Sequence, residues 1–438
     1  TQKLKKVFFA HWLAGLLSFS TAVFFIFFNN QPTEFIFLKL TLIGFFLTFT
    51  SLSISTFFTT IKTTRWHHLF HYFSLIFLGL ILFAFLPTNE GYLWEYRGFM
   101  LGCFVASLML FLPFYKNSRN LDFVNYVKNL GVNFIVAVGF SLIVYAGLAV
   151  FGGILKDLFT INIPELVYAG AFSLVFTTIG FWIFVYLLPD KMENIDFYKT
   201  LDSLLNILAV YILLPFSIIY SITLCIYAGK IIFTNIWPQN QVAIFVGALF
   251  VVLLVIYFLI QSATGDLAKK IKNFWRYYFV GCLPLLALYF IALVIRIKNN
   301  GFTEDRCLAL FVGFVCLFAG LYLVIDKSVK LKYIPITIGV IMLLMSFGPW
   351  SIFNISKHSQ VSRYEEFLIA NEFIVNGKIN EAKKLAQSDK LFLEFSQKTN
   401  YIIYHFEPES IKRFFPDLDL TEDNSMLANK MGDLYLVK

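Results

Sequence analysis

The sequence predicts an all-α fold: a polytopic transmembrane helix bundle of about eleven spans, followed by a small extramembrane helical segment. Three observations carry that reading. Hydrophobic residues make up 58% of the 438 and charged residues only 14%, with a mean hydropathy of +0.73. A soluble domain runs at roughly 45–50% apolar and about 25% charged. Apolar runs of about 20 residues, the length that crosses a bilayer, recur along the chain. None of them alternates with a period of two, which argues against a β-barrel. The same composition excludes a soluble enzyme, an intrinsically disordered chain, and nucleic-acid binding as a main task.

The runs fall at 7–28, 35–59, 67–87, 97–115, 131–155, 165–188, 203–229, 241–261, 277–295, 307–325 and 333–353. Lys3, Lys5 and Lys6 precede the first, as in a signal peptide. No small-residue cleavage site follows it, and ten more spans do, so it reads as a span. Trp66, Trp94, Trp237, Trp275 and Trp350 fall at span ends, where indoles bridge apolar and wet layers. Pro87, Pro113, Pro189, Pro238 and Pro349 also mark ends. Pro215, Pro284 and Pro335 lie inside spans, where each removes a backbone donor and is expected to kink its helix. The bundle therefore occupies 1–356 and the extramembrane segment 357–438. The chain starts at Thr1 without Met and ends at Lys438 without a stop signal, which leaves room for a longer parent chain at either end.

Lys and Arg set the expected orientation, because positive loops stay in the cytoplasm. The N-terminus and every second loop hold 17 of these residues, and the intervening loops hold 6. This puts the N-terminus inside and, with an odd number of spans, the C-terminal segment outside. The net charge of +8 is then a by-product of topology. One outer loop breaks the trend, with Arg296, Lys298 and Arg306.

Past Ser359 the composition changes. A helix is expected from Arg363, with Tyr364, Phe367 and Leu368 on one face. Asn376-Gly377 reads as its stop. Further short helices are expected from Asn380, over Leu391 to Tyr404, and from Glu407-Pro408 to Pro416.

Chemistry is sparse. There is no Walker A loop, no H-E-x-x-H and no G-x-S-x-G, so no residue takes a catalytic role. The five cysteines lie in or at spans with no C-x-x-C pair and read as small core residues. His67, His68 and His71, with His11 at similar depth, could hold a metal or a haem. The plainer reading is interfacial polar residues beside Trp66, and no carboxylate lies within sequence reach to orient them. No Asp or Glu sits deep inside a span, which argues against proton coupling. Lys39 is the ionised residue within a span and is expected to snorkel toward Glu34. Asn133 and Asn206 are candidate interhelical hydrogen-bonding residues.

Three polar stretches gather on the expected outer face. They are Trp237–Ala243, Arg296–Arg306 and Gly348–Arg363. They resemble the bacterial membrane-protein family known as domain of unknown function 4153. Trp237, Pro238, Asn240, Val242 and Ala243 match its first element. Arg296, Ile297, Gly301, Thr303 and Arg306 match its second. Gly348, Pro349, Ser356, Ser359, Gln360 and Arg363 match its third. The resemblance covers about residues 200–365, with Cys307 standing where an aromatic is more usual. It implies a polytopic envelope protein of a Gram-negative bacterium, set in the inner membrane, and it implies no activity.

Two structural meanings stand open for the second stretch. Gly301 supplies positive φ in a short turn, Thr303 caps the next helix with Glu304 and Asp305 in its first turn, and the Arg residues pair with those acids. Alternatively Arg296, Arg306 and Arg363, with Trp237, Asn240 and Gln360, form a site for an anion or a partner. The leading functional expectation is a non-enzymatic component of an envelope assembly. The alternatives are a permease or lipid-handling protein that binds an anionic head group, and a haem or metal membrane protein.

Overall fold

The computed structural model describes residues 2–30, 35–61, 63–86, 93–116, 119–189, 192, 195, 197–234, 241–263, 266–325, 330–375, 378–380, 389–406 and 410–415. Its helices are α1 (Gln2–Asn30), α2 (Phe35–Phe58), α3 (Arg65–Phe85), α4 (Leu93–Phe111), α5 (Asn120–Phe159), α6 (Glu165–Ser173), α7 (Gly180–Tyr186), α8 (Lys199–Ile207), α9 (Leu214–Thr234), α10 (Gln241–Leu259), α11 (Asp266–Asn300), α12 (Glu304–Ile325), α13 (Tyr333–Ser346), α14 (Ile352–Ala370) and α15 (Lys390–Phe406). A two-residue antiparallel ladder, β1 (Ile374–Val375) with β2 (Lys378–Ile379), follows α14. The protein is an all-α polytopic bundle. Helices dominate because hydrocarbon offers backbone N–H and C=O groups no partner, so each segment must satisfy its own.

Among the described residues, ten helical stretches are long and apolar enough to cross a membrane. They fall on the first ten expected spans, and α13 falls on the eleventh. α13 has 14 residues, about 21 Å at the usual rise. The expected span 333–353 is too long because Gly348, at φ +86, breaks the chain before α14 begins. The span 131–155 is too short. α5 has 40 residues, about 60 Å, because Phe123, Val124 and Tyr126 bury one face of its first turns.

The expected proline kinks resolve in three ways. α11 runs on through Pro284. Pro335 sits in the first turn of α13, where its missing N–H costs nothing. Pro215 is the second residue of α9, just past a π-helical stretch, Leu208–Leu213, that joins α8 to α9. A second π stretch, Leu174–Ile179, joins α6 to α7. The break in α1 falls instead at His11 (φ −123°, ψ 17°), whose Nδ1 lies 2.6 Å from Ser55 Oγ on α2.

Close helix contact depends on small residues. A Cβ on Gly339 of α13 would collide with Ser107 of α4, so glycine lets the two axes approach. The bundle core centres on Phe250, Trp275, Phe279 and Tyr289. Trp275 is a correction to the interfacial belt. It is 0% exposed, and its Nε1 donates to Leu253 O (2.8 Å). Trp66 is exposed, in keeping with a belt position.

Helix C-termini carry carbonyls with no intrahelical donor. Here sequence-distant side chains close them. Arg97 donates to Phe85 O (2.8 Å) at the end of α3. Lys332 donates to Phe114 O (2.7 Å) and Tyr115 O (3.0 Å) after α4. Asn133 donates to Leu187 O (2.8 Å) after α7, which makes it the interhelical residue expected. Lys128 reaches Leu259 O (3.1 Å) at the end of α10. Lys128 also ion-pairs with Asp202 (2.7 Å) and donates to Ser262 Oγ (2.6 Å). Asn206 departs from expectation: it bonds to Asp202 one turn back in its own helix (3.2 Å), joining the knot rather than a neighbouring helix.

The Lys128 side chain is 2% exposed and Asp202 is 23% exposed. Removing one member of a buried pair strands the other. Lys128→Met is therefore expected to cost about 3 kcal/mol. Adding Asp202→Asn should recover most of that loss, because the stranded charge is gone. Chemical unfolding in detergent checks this; a double variant no more stable than Lys128→Met would contradict it.

Candidate functional site

The Arg296–Arg306 and Gly348–Arg363 stretches meet at one end of the bundle. The chain leaves α11 through Gly301, at φ +72, and enters α12 at Glu304. Cys307 N donates to Thr303 O (3.0 Å), so Thr303 holds the capping position expected of it. Two residues past the end of α13, Gly348 turns the backbone, and Ser351 Oγ caps α14 by accepting from Asn354 N (3.3 Å). Asn354 Nδ2 closes the turn on Gly348 O (2.8 Å), and Trp350 Nε1 donates to Leu344 O (2.9 Å).

Ser356, Ser359, Gln360 and Arg363 recur at helical spacing, so α14 carries them on one face. That face meets the Lys298–Phe302 turn. Phe302 N donates to Ser359 Oγ (2.9 Å). Gln360 Nε2 donates to Asn300 O (3.0 Å) and Phe302 O (2.7 Å). Arg363 donates to Lys298 O (3.2 Å) and to Asn299 O. From the opposite side, Arg306 Nη1 donates to Asn300 O (2.9 Å) and Gly301 O (2.5 Å). The turn is thus a latch, gripped between α12 and α14. Gly301 is required twice over. Its φ suits glycine, and an added Cβ would lie 2.7–2.9 Å from Arg363, Gln360 and Ser359.

Arg296 and Arg306 are the arginines expected to pair with the first-turn acids, and in the latch Arg306 uses carbonyls instead. Arg306 and Arg363 take carbonyls, and Asp305 Oδ1 accepts from Tyr96 OH of α4 (2.5 Å). The reason is geometric: a guanidinium is a planar fork of five donors, and the end of α11 offers several carbonyls together. Glu304 is 0% exposed at the start of α12. Glu304 is an acid buried in the structure that hydropathy places at a loop edge. Arg97 of α4 lies 4.8 Å over the Phe353 ring and ties α4 to the foot of α14.

α14 belongs to two cores. Ile352 and Phe353 pack with Met100, Phe311 and Met342 of the bundle. Tyr364 and Leu368 pack with Phe373, Phe395, Ile402 and Phe415 in a separate cluster. The α14 helix therefore crosses the expected boundary at 357. The ladder stands where Asn376-Gly377 reads as a helix stop; those two residues and the helix expected from Asn380 fall, wholly or nearly so, outside the described residues. α15 matches the helix expected over Leu391 to Tyr404. Between the latch and α15 lies a cavity of about 360 Å³ lined in part by Thr303, Arg306, Gln360, Arg363, Lys398 and Tyr401. Burial, then the nearby Glu304, pushes the Tyr401 phenol up to about 12, so it stays a neutral donor at physiological pH.

The other candidates disperse. Trp237 and Asn240 lie outside the described residues. His67 Nδ1 takes the Thr64 backbone N–H (3.0 Å) and sits 2.7 Å from Thr64 Oγ1, capping α3. Phe58 packs edge-on against His67, His68 and His71, while His11 is held by Ser55. Among the described residues, no three His, Cys, Asp or Glu side chains gather as a metal set. Lys39 is buried with its amine 4.6 Å over the Phe83 ring; Glu34 lies outside the described residues.

A many-helix membrane bundle with an intramolecular latch at one end is the class of protein that this fold and site define. The chain belongs to the family described as Domain of unknown function (DUF4153), which it matches over residues 8–376. Neither the comparison with curated proteins nor that with solved structures gives a match. The family match ends just beyond α14, so it contains both halves of the latch.

Gly301→Ala is expected to destabilise the chain by more than the roughly 1–2 kcal/mol of left-handed strain alone, because three latch side chains must also move. Trypsin should then cut sooner at Lys357 and Arg363. Gly229→Ala, which meets nothing within 4 Å, is the control expected to leave both readouts unchanged. Equal behaviour of the two variants would contradict the latch.

Proposed function

We propose that the protein is a non-enzymatic component of a bacterial cell-envelope assembly, set in the inner membrane with its N-terminus in the cytoplasm. Its task is to hold the helical unit built on α14 and α15 in a fixed attitude at the outer face, for a protein partner. The observation that carries this reading is the latch. A segment that merely trails from a bundle needs no hydrogen-bonded grip on the turn after α11, and α14 grips that turn with three of its side chains and is rooted in two cores. Ile369, Val375, Leu393 and Tyr404 leave apolar surface exposed on the unit. The 17-to-6 distribution of basic residues supports the orientation.

A second reading rests on the 360 Å³ cavity. It gathers Arg306, Arg363 and Lys398, and among the described residues Arg306 Nε has no hydrogen-bond partner. That arrangement suits an anionic lipid head group. Anionic phospholipid retained through gentle extraction, and lost in Lys398→Ala, would favour it.

A photo-crosslinking residue at Leu393 or Tyr404 is expected to capture one discrete envelope protein in living cells, and Arg363→Ala should abolish the capture while the bundle stays in the membrane. Capture unaffected by Arg363→Ala, or none at all, would sink the proposal. In a cysteine-free background, a single cysteine at Lys298 should react with an impermeant maleimide from outside and one at Arg65 should not; the reverse pattern would invert the topology.

A further inference from the structure

Away from the latch, a cavity of about 270 Å³ opens near mid-depth among α1, α2, α5, the π stretch and α7. Six phenylalanines form the bulk of its apolar wall, with Ala137 and Val138. Its polar lining consists of the hydroxyls of Ser18, Thr21, Thr48, Ser141 and Thr177. Four of these have committed their protons. Thr21 donates to Leu17 O (2.8 Å), Thr48 to Gly44 O (2.7 Å) and Thr177 to Ser173 O (2.7 Å), each one turn back, and Ser18 donates across to Thr177 O. Each oxygen keeps lone pairs with which to accept.

Ser141 is different. It is 1% exposed, and its Oγ has no hydrogen-bond partner among the described residues. Gly180 leaves it room, since a Cβ there would lie 2.6 Å from that oxygen. A buried hydroxyl without a partner is costly, and this one lines a space large enough to hold a partner. The wall beside it is π-helical, Leu174–Ile179, a rare geometry that concentrates at functional sites.

No ionisable side chain lines the cavity. A charged ligand would meet no counter-charge there and would lose its hydration for nothing. The polar set offers one free donor and several acceptors, and its complement is a group that both accepts and donates, which is a hydroxyl. The phenylalanine wall takes an apolar remainder. Phe45 and Phe134, both exposed, stand at the rim on the outer surface of the bundle, so the approach is from the bilayer.

We propose that this cavity binds an uncharged, membrane-soluble molecule that carries an alcohol on an apolar chain, with Ser141 donating to the alcohol oxygen.

The test uses the full chain in lipid nanodiscs and a diazirine-bearing octanol as probe. Saturable adducts are expected on peptides covering 134–141 and 176–184, displaced by plain octanol and not by octanoate. Ser141→Ala should weaken probe binding by about fivefold, the usual worth of one hydrogen bond. Ala137→Phe, which fills the cavity, should abolish saturable labelling; if that variant does not fold, the Ser141→Ala comparison decides alone. Labelling that never saturates, that spreads over the lipid-facing surface, that Ser141→Ala leaves unchanged, or that octanoate displaces as well as octanol would overturn the proposal. A cavity filled by water alone gives the first of those outcomes.

Discussion

The carbonyl groups at helix C-termini are the constraint on which this structure turns. A membrane helix satisfies its interior backbone, yet its last carbonyls face neighbouring helices or a thin interfacial layer and carry the negative end of the macrodipole. The chain answers with donors from elsewhere in the sequence. Arg97 closes α3, Lys332 closes α4, Asn133 closes α7, and Lys128 closes α10. The end of α11 takes the most donors, from Arg306, Gln360 and Arg363. Apart from Arg97 and Arg306, which reach back only to the helix before them, these caps bridge segments far apart in the sequence, so closing a helix end also fixes which helices are neighbours.

This gives the sparse charge of the chain a second meaning. Lys and Arg in loops orient a membrane protein by their sign alone. Lys128, Lys332, Arg97 and Arg306 are also committed one by one to particular carbonyls or acids. The loop with Arg296, Lys298 and Arg306 breaks the inside-positive trend, and the latch supplies a physical reason for its Arg306, because α11 ends there and its carbonyls need donors. The same contacts root α14, whose far half forms the core of the helical unit with Phe373, Phe395 and Phe415. Packing and capping of that unit are thus one arrangement.

Much of the fold was legible in the sequence because hydropathy reports burial in lipid directly. Ten of the spans and their order followed from apolar run length. Boundaries slipped where amphipathic turns extend a helix beyond its apolar run, as at Phe123 to Tyr126, or where a left-handed glycine ends one early, as at Gly348. Local propensity also placed Gly301 and Thr303 correctly. Tertiary pairing was not legible. Trp275 reads as interfacial from its neighbours and is a core residue, because what surrounds an indole depends on helices far away in sequence. The arginine acceptors were missed for the same reason: backbone carbonyls leave no mark in a sequence, whereas Glu304 and Asp305 do. The helical spacing of Ser356, Ser359, Gln360 and Arg363 was the signal that could have shown one face of α14 reading one turn. The hydroxyl-lined cavity had no such signal, since its five hydroxyls come from four separate segments.

Amide hydrogen exchange of the full chain in nanodiscs tests the central claim most directly. If side-chain caps join the α11 turn to α14, the amides of 298–303 and of 352–363 exchange as one unit, and Arg363→Ala speeds both segments together while α10 keeps its protection. If the caps are incidental, the two segments exchange at unrelated rates and Arg363→Ala alters only the helix that carries it.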